Sequence, residues 1–336
     1  MATIKEVAAR AGVSTATVSY VLNGTGTVTE ATRQRVLLAV ADLNYQPNHA
    51  ARSLRSRSRT IGLVLSALAA RLSDPTLAEV LAGLSDAAAA QGYYLLLATA
   101  GDDQPEALLG EQLVRSGRVD GLVLLDLRGD DERVVYLVAR GVPLVCAGLP
   151  AGAVHCPYVA IDGRSGALRA MQHLLGLGHQ QVGLIALPSD MAGSEPIYEG
   201  YAAALELAGI ASDPALIVEA GTGENDGLAA MQELLGLPEP PSAVLAASDT
   251  LAFGAMHALR DAGLSIGRAV SLIGFDDVPM AAHTDPPLTT LRAPRQALGA
   301  QLARLLIAIV EDKGVVPANV MLDMQLIIRR STGRRE

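Results

Sequence analysis

The chain has 336 residues, half of them hydrophobic, a formal net charge of −9 and only 3% aromatic side chains, with no Trp. That is length for two or three domains and enough apolar content for sizeable cores, which must be built from Ala, Leu, Val and Ile. No run approaches the roughly 18 apolar residues that span a bilayer, and the amino terminus lacks the apolar centre of a secretion signal, so neither a membrane protein nor an exported one is expected. Two cysteines, Cys146 and Cys156, fit a reduced compartment as buried thiols and have no metal-ligand spacing. Charge is unevenly spread. Residues 1–60 hold eight basic and three acidic side chains, whereas the rest holds 18 basic and 32 acidic ones. A basic arm on an acidic body suits a polyanion gripped at one end.

Taken in chain order, Thr3-Ile4-Lys5-Glu6 reads as a capping box, with Thr at the cap and Glu three residues on. A helix from Ile4 to Ala11 follows, placing Ile4, Val7, Ala8 and Ala11 on one face. Gly12 suits the left-handed residue that ends a helix, and Ser14 can cap a second helix running through Asn23. A third helix fits Thr29 as cap through Leu43, with Val36, Val40 and Leu43 inward. Helix, short Gly-containing turn, helix is the helix-turn-helix pattern. In the second helix Val18, Val21 and Leu22 turn inward, leaving Thr15, Ala16, Ser19 and Tyr20 outward. Small polar side chains there allow close approach to a DNA major groove. A plain three-helix bundle with a polar face fits the same pattern.

After Tyr45-Gln46-Pro47 comes NHAARSLRSRSRT, a basic helix candidate too short to be stable alone. It presents Leu54 between Arg52 and Arg55, the composition of a minor-groove wedge. From Ile61 onward, short apolar runs alternate with helix-length stretches. Strands are expected at 61–66, 93–99, 121–126, 143–147, 158–162, 181–187, 243–248 and 270–275. This alternation argues for parallel sheets covered on both faces, which bind ligands at the carboxyl ends of their strands. Several acidic residues fall at those ends, and of these Asp162 reads as a helix cap.

Catalytic motifs fail. AGTGENDG (220–227) puts Gly227 one place late for a dinucleotide loop, and no P-loop, H-E-x-x-H or G-x-S-x-G is present. His155, His173, His179, His257 and His283 are scattered, and His179 reads as a structural residue at a helix end. No cofactor and no metal are expected. A solute-binding protein would explain the body but not the basic arm.

TIKEVAARAGVSTATVSYVLNG, VTEATRQRVLLAVADLNYQPNHAARSLRSRSRTIGLV, LLGLGHQQVGLI (174–185) and SLIGFDD (271–277) together resemble the LacI/GalR family of bacterial transcriptional regulators, over essentially the whole chain. The resemblance implies an all-α helix-turn-helix headpiece at 1–46, a hinge helix and linker at 47–60, and an α/β body at 61–330. The body would be two doubly wound parallel-sheet subdomains of the periplasmic-binding-protein kind. Its amino-terminal subdomain would span about 61–160 and 290–318, and its carboxy-terminal one about 161–289 and 319–330, so that the chain crosses three times. Carried over residue by residue, base reading falls on Thr15, Ala16 and Tyr20, and phosphate contact on Thr3, Ser14, Thr17, Ser19, Asn23 and Arg33. The minor-groove hinge falls on Asn48, Ala51, Arg52, Leu54 and Arg55, with Leu54 as wedge. Many relatives carry Arg at the position of Tyr20, so the preferred half-site can differ from theirs.

Effector contacts are implied for Ser73, Asp74, Thr76, Ile197, Tyr198, Thr222, Asp249 and Asp276. Here the chain departs from sugar- and purine-binding relatives. Aromatics are common in them at the positions of Thr76 and Thr222, an Arg at that of Ile197, and an Asp-Arg pair at Gly148-Leu149. Losing those groups points to a smaller, more apolar or cationic effector rather than an ordinary pyranose, with Tyr198 and Glu195 as partial substitutes. The whole implies a cytoplasmic, nucleoid-associated homodimeric repressor, not an enzyme, that binds a double-stranded, pseudo-palindromic operator and answers to a small molecule.

Overall fold

A computed structural model describes residues 3–23, 28–43, 57–65, 75–101, 104–127, 131–150, 155–191, 193–311 and 319–335. The chain divides into two units, Met1–Ser58 and Arg59–Glu336. In the first, helices α1 (Ile4–Ala11), α2 (Thr15–Asn23) and α3 (Glu30–Asp42) each begin at a hydroxyl cap. Thr3 Oγ1 accepts the Glu6 N–H at 3.3 Å while Glu6 Oε2 accepts the Thr3 N–H at 2.7 Å, which satisfies donors that α1 would otherwise leave open. Gly12 ends α1 at φ +65°, a left-handed conformation that costs a Cβ-bearing residue, and the Val13 N–H turns back to the Ala8 carbonyl at 3.0 Å. Ser14 Oγ then accepts the Thr17 N–H at 3.1 Å and starts α2. The three helices close over Val7, Ala8, Ala11, Val18, Val21 and Val36, with Leu22, Val40 and Leu43 packed around them.

Among the described residues, the large unit contains two six-stranded sheets. The first is built from β1 (Thr60–Leu65), β2 (Tyr94–Thr99), β3 (Gly121–Leu124), β4 (Leu144–Ala147), β5 (Tyr158–Ile161) and the late strand β11 (Val320–Leu322). All its pairings are parallel, in the order β11-β5-β4-β3-β1-β2. Helices α4 (Pro75–Ala90), α5 (Glu106–Arg115) and α6 (Glu132–Ala139) connect its strands, and α11 (Arg295–Val310) lies against α4. Glycines let those two helices approach closely. A Cβ on Gly83 would sit 1.9 Å from the Gln296 carbonyl oxygen, and one on Gly299 2.0 Å from that of Val80.

The second sheet contains β6 (Val182–Ala186), β7 (Ile217–Glu219), β8 (Ala243–Ala246), β9 (Ser271–Asp276), β10 (Thr289–Arg292) and β12 (Gln325–Ile327), in the order β12-β10-β9-β8-β6-β7. It is parallel except for β12, which runs antiparallel to β10 at one edge. Helices α7 (Gly163–Gly176), α8 (Ser194–Leu207), α9 (Glu224–Leu235) and α10 (Asp249–Asp261) cover it. As expected, Asp162 caps α7, its Oδ1 accepting the Ser165 N–H at 2.9 Å.

Strand pairing moves two expected boundaries. β10 belongs to the second sheet through its register with β9, so the chain returns to the first subdomain after Arg292 rather than at 290. Val320–Leu322 pairs in parallel with β5, which places it in the first subdomain and puts the last crossing after Leu322 rather than at 319. The carboxy-terminal segment then binds at the starts of β9 and β10. Ser331 is buried, the Leu272 N–H donates to its carbonyl at 2.8 Å, and Ser331 Oγ accepts the Thr289 N–H at 2.7 Å. His179 fastens this tail: its Nε2 donates to the Gly333 carbonyl at 3.0 Å and its Nδ1 lies 2.9 Å from Ser242 Oγ. Burial holds its pKa below the usual histidine value.

Candidate nucleic-acid interface and effector cleft

The outward face of α2 follows from helical spacing. Residues 15, 16, 19 and 20 fall on one side, and 18, 21 and 22 on the other. Val18 and Val21 are buried, whereas Thr15 and Ala16 are exposed and Tyr20 is 50% exposed. Tyr20 carries the longest side chain on this outward face, whose other members, Thr15, Ala16 and Ser19, are small. Beside it, Ser14 Oγ and Thr17 Oγ1 lie 2.9 Å apart, Ser19 is half-buried, and Thr3 stands exposed at the start of α1. Arg33 lies on α3, its Nε 3.9 Å from Glu30. The side chain of Asn23 and the hinge residues Asn48, Ala51, Arg52, Leu54 and Arg55 lie outside the described residues, as do Ser73 and Asp74.

In the large unit, a cavity of about 780 Å³ opens at the carboxyl ends of the second sheet's strands, where parallel sheets place their ligands. Leu187, Met191, Ile197, Phe253, Phe275 and Met280 supply apolar walls, and Thr76, Thr222, Ser248 and Thr250 supply hydroxyls. Thr76 belongs to α4 and Arg295 begins α11, so two groups of the first subdomain close a cavity otherwise walled by the second. The chain has only two Phe residues, and both line this cavity.

The charged part of the wall is an ion pair. Arg295 donates through Nη2 to Asp276 Oδ1 at 2.5 Å and through Nη1 to the Asp276 carbonyl at 3.1 Å. Asp276 and Asp277 have φ of +124° and +57°, conformations that side-chain-bearing residues rarely adopt. Ion pairs hold this turn in place, since Asp277 sits between Arg292 and Arg329, each at 2.6 Å. Strained backbone persists where the surroundings over-determine it, and such turns cluster at ligand sites.

Of the residues expected at the effector site, the structure brings Thr76, Ile197, Thr222 and Asp276 to the cavity. Two are not in its wall. Tyr198 is 44% exposed and lies off the cavity, one helical position beyond the buried Ile197. Asp249 is 0% exposed: Thr290 Oγ1 donates to its Oδ1 at 2.5 Å, and the Val278 N–H donates to its Oδ2 at 2.9 Å. It therefore ties the start of α10 to β10 and to the loop after β9 instead of facing a ligand. Burial pushes its pKa up to about 7, with the charges of Asp276 and Asp277 adding to the rise, against the hydrogen bonds from Thr290 and Val278. Gly274 makes room for it, since a Cβ there would meet Asp249 Oδ1 at 2.2 Å.

Sequence reasoning missed Phe253, Phe275, Met280 and Arg295. Scarcity was the available signal for the first two, because a chain with two Phe spends both here. The volume and the neutralised carboxylate also count against two parts of the effector expectation, small size and positive charge. Among the described residues, no group of three or more His, Cys, Asp or Glu is placed to hold a metal, and no helix is long and apolar enough to cross a membrane.

Comparison with known proteins agrees with both parts. Residues 3–48 match the family described as bacterial regulatory proteins, lacI family, and residues 171–332 match the periplasmic binding protein-like domain. The HTH-type transcriptional regulator CelR of Thermobifida fusca is 36% identical over 333 residues, covering 98% of each chain. The HTH-type transcriptional repressor CytR of Escherichia coli K12 is 34% identical over 332 residues, covering 98% of this chain and 96% of that one. Among solved structures, a complex of CelR with cellobiose superimposes with a TM-score of 0.75 at 35% identity, covering 98% of this chain and 100% of that one. A Lac repressor dimer bound to operator and the anti-inducer ONPF superimposes with a TM-score of 0.84 at 27% identity, covering 99% of each. The chain therefore belongs to the lacI family of bacterial regulatory proteins, as a DNA-binding transcriptional repressor whose large unit is an effector-binding domain.

Proposed function

We propose that this repressor acts as a homodimer on a pseudo-palindromic operator, each protomer laying α2 in a major groove. The observation that carries the reading is the α2 face itself: Thr15, Ala16 and Tyr20 are exposed together on a helix whose opposite side fills the core. The Ala16 methyl suits a thymine methyl, the Thr15 hydroxyl a base edge or phosphate, and the Tyr20 phenol reaches furthest into the groove. Ser14, Thr17 and Thr3 then supply phosphate contacts, with Asn23, Arg33 and the basic hinge around Leu54 as further contributors. Two-fold pairing has an apolar surface available. β2 ends the first sheet, and its Tyr94 is 72% and its Leu97 41% exposed, an edge that soluble proteins usually cover. The operator-bound dimer of the Lac repressor supports the same assembly by analogy.

The cavity is the effector site, and its lining selects a neutral molecule with an apolar face and several hydroxyls. Arg295 already compensates the Asp276 carboxylate, so a cation gains little there, and an anion would have to break the pair. Two phenyl rings offer stacking or edge contacts, and the four hydroxyl side chains offer orientation. Because the Asp276–Arg295 pair joins the end of β9 to the start of α11, an effector that binds beside it favours one relation of the two subdomains over another.

Selection from a random duplex library at about physiological salt, with and without cell-extract metabolites, tests the reading. Enrichment of a pseudo-palindrome supports it. An asymmetric consensus, or no enrichment under either condition, overturns the dimeric part.

A further inference from the structure

Cys146 and Cys156 are the chain's only cysteines, and the repressor function described above uses neither. Cys146 is the third residue of β4. Cys156 lies two residues before β5, on the connection that returns from one strand to the next. The parallel register sets Cys146 opposite Tyr158, and the Cys146 N–H donates to the Pro157 carbonyl at 2.9 Å. This pairing draws the approach to β5 alongside β4 and brings the two Sγ atoms to 3.3 Å, while both thiols are free. A disulfide requires about 2.05 Å, so roughly 1.2 Å of sulfur movement separates the dithiol from the bond.

The two thiols differ in their surroundings. Cys146 is fully enclosed in the apolar core on this side of the first sheet, with Leu124, Leu144 and Val134 in the same cluster. The hydrogen bond with Cys156, followed by burial, raises its thiol pKa well above the ordinary range. Cys156 is 6% exposed and its thiol donates weakly to the Pro157 carbonyl at 3.5 Å. An oxidant arriving from solvent meets Cys156 first.

We propose that Cys146 and Cys156 form a redox site in which Cys156 reacts with a small hydroperoxide and Cys146 resolves the product into an intramolecular disulfide. In the first step the Cys156 sulfur, having released its proton, attacks one peroxide oxygen. The O–O bond breaks, Cys156 becomes a sulfenic acid, and the other oxygen leaves as water or an alcohol. In the second step the Cys146 sulfur attacks Cys156 Sγ, the S–O bond breaks, and the Cys146 proton leaves with the hydroxyl as water. Two thiols lose two electrons in all and the hydroperoxide gains them. The bond fastens the end of β4 to the approach to β5, the strand from which the chain first crosses to the second subdomain.

The test treats the full-length reduced protein with millimolar hydrogen peroxide, keeping its folded state monitored by circular dichroism. Thiol titration should fall from two groups to none, and peptide mapping should recover a 146–156 crosslink that a reducing agent reverses. Dimedone, which traps sulfenic acids, should label Cys146→Ser at Cys156 and leave both the wild type and Cys156→Ser unlabelled. Two thiols that persist in the folded wild type, or crosslinking only between chains, would overturn the proposal without recourse to the variants. Labelling of Cys156→Ser in place of Cys146→Ser would overturn the assignment of roles.

Discussion

Asp249 makes the body's stability depend on pH in an unusual direction. Its carboxyl has an ordinary value of 3.8 and a folded-state value of about 7, so between those values the folded chain binds more protons than the unfolded one. Stability is then full at low pH, falls as pH rises through this window, and levels off above it. Each unit of pKa difference is worth about 1.4 kcal/mol, which gives a cost of about 2 kcal/mol at pH ~5 and about 4 kcal/mol at pH ~8. Asp249→Asn removes the charge but keeps the shape: its amide can donate to Thr290 Oγ1 while its oxygen still accepts the Val278 N–H. The variant should therefore be more stable than the wild type, by an advantage that widens by about 2–3 kcal/mol between pH ~5 and pH ~8. Urea unfolding of both proteins across this range measures the gap. An advantage that stays constant with pH, or shrinks as pH rises, would refute the assignment of a buried, proton-binding Asp249.

Three other outcomes are expected. Gly83→Ala places a methyl 1.9 Å from the Gln296 carbonyl oxygen and should destabilise the body by about 3 kcal/mol, read as a lower Tm by circular dichroism. His179 is neutral in the folded state because burial lowers its pKa, so its contribution is complete above its ordinary value of 6.5 and is lost as pH falls below it. His179→Gln should flatten the stability loss between about pH 7 and about pH 5, and an acid limb as steep as the wild type's would count against the latch on the carboxy-terminal tail. Tyr20→Ala should relax base preference at one half-site position by about 1–3 kcal/mol while leaving the salt dependence of binding unchanged; competition binding at several salt concentrations separates the two.

The sequence by itself determined what local chemistry controls. Thr3 to Glu6, Gly12, Ser14 and Thr29 mark helix ends through caps that each involve residues within a few positions, and the three helices begin and end where those signals stand. The eight longer apolar runs of the body became β1 to β6, β8 and β9; parallel strands buried on both faces read as continuous hydrophobic stretches, and β2 shares that apolar composition although it is an exposed edge. Four strands escaped notice. β7, β11 and β12 are three residues long, and β10 is Thr289-Thr290-Leu291-Arg292 with one strongly apolar residue, so none carries an apolar run, and their identity comes from the neighbour that each one finds. β11 and β12 lie two residues apart in sequence yet join different sheets, a choice that only long-range pairing makes. The cleft shows the same division. Asp276 was legible as an acidic strand end, and Thr76, Ile197 and Thr222 through the family resemblance, but Asp249, an equally suggestive strand-end carboxylate, was taken out of the wall by Thr290 from β10. Arg295 entered the wall because α11 starts where the chain returns between subdomains, and the two Phe rings converge there from β9 and α10. Burial and partnership are properties of residues distant in sequence, so the roles of these side chains were decided only when the sheets had assembled.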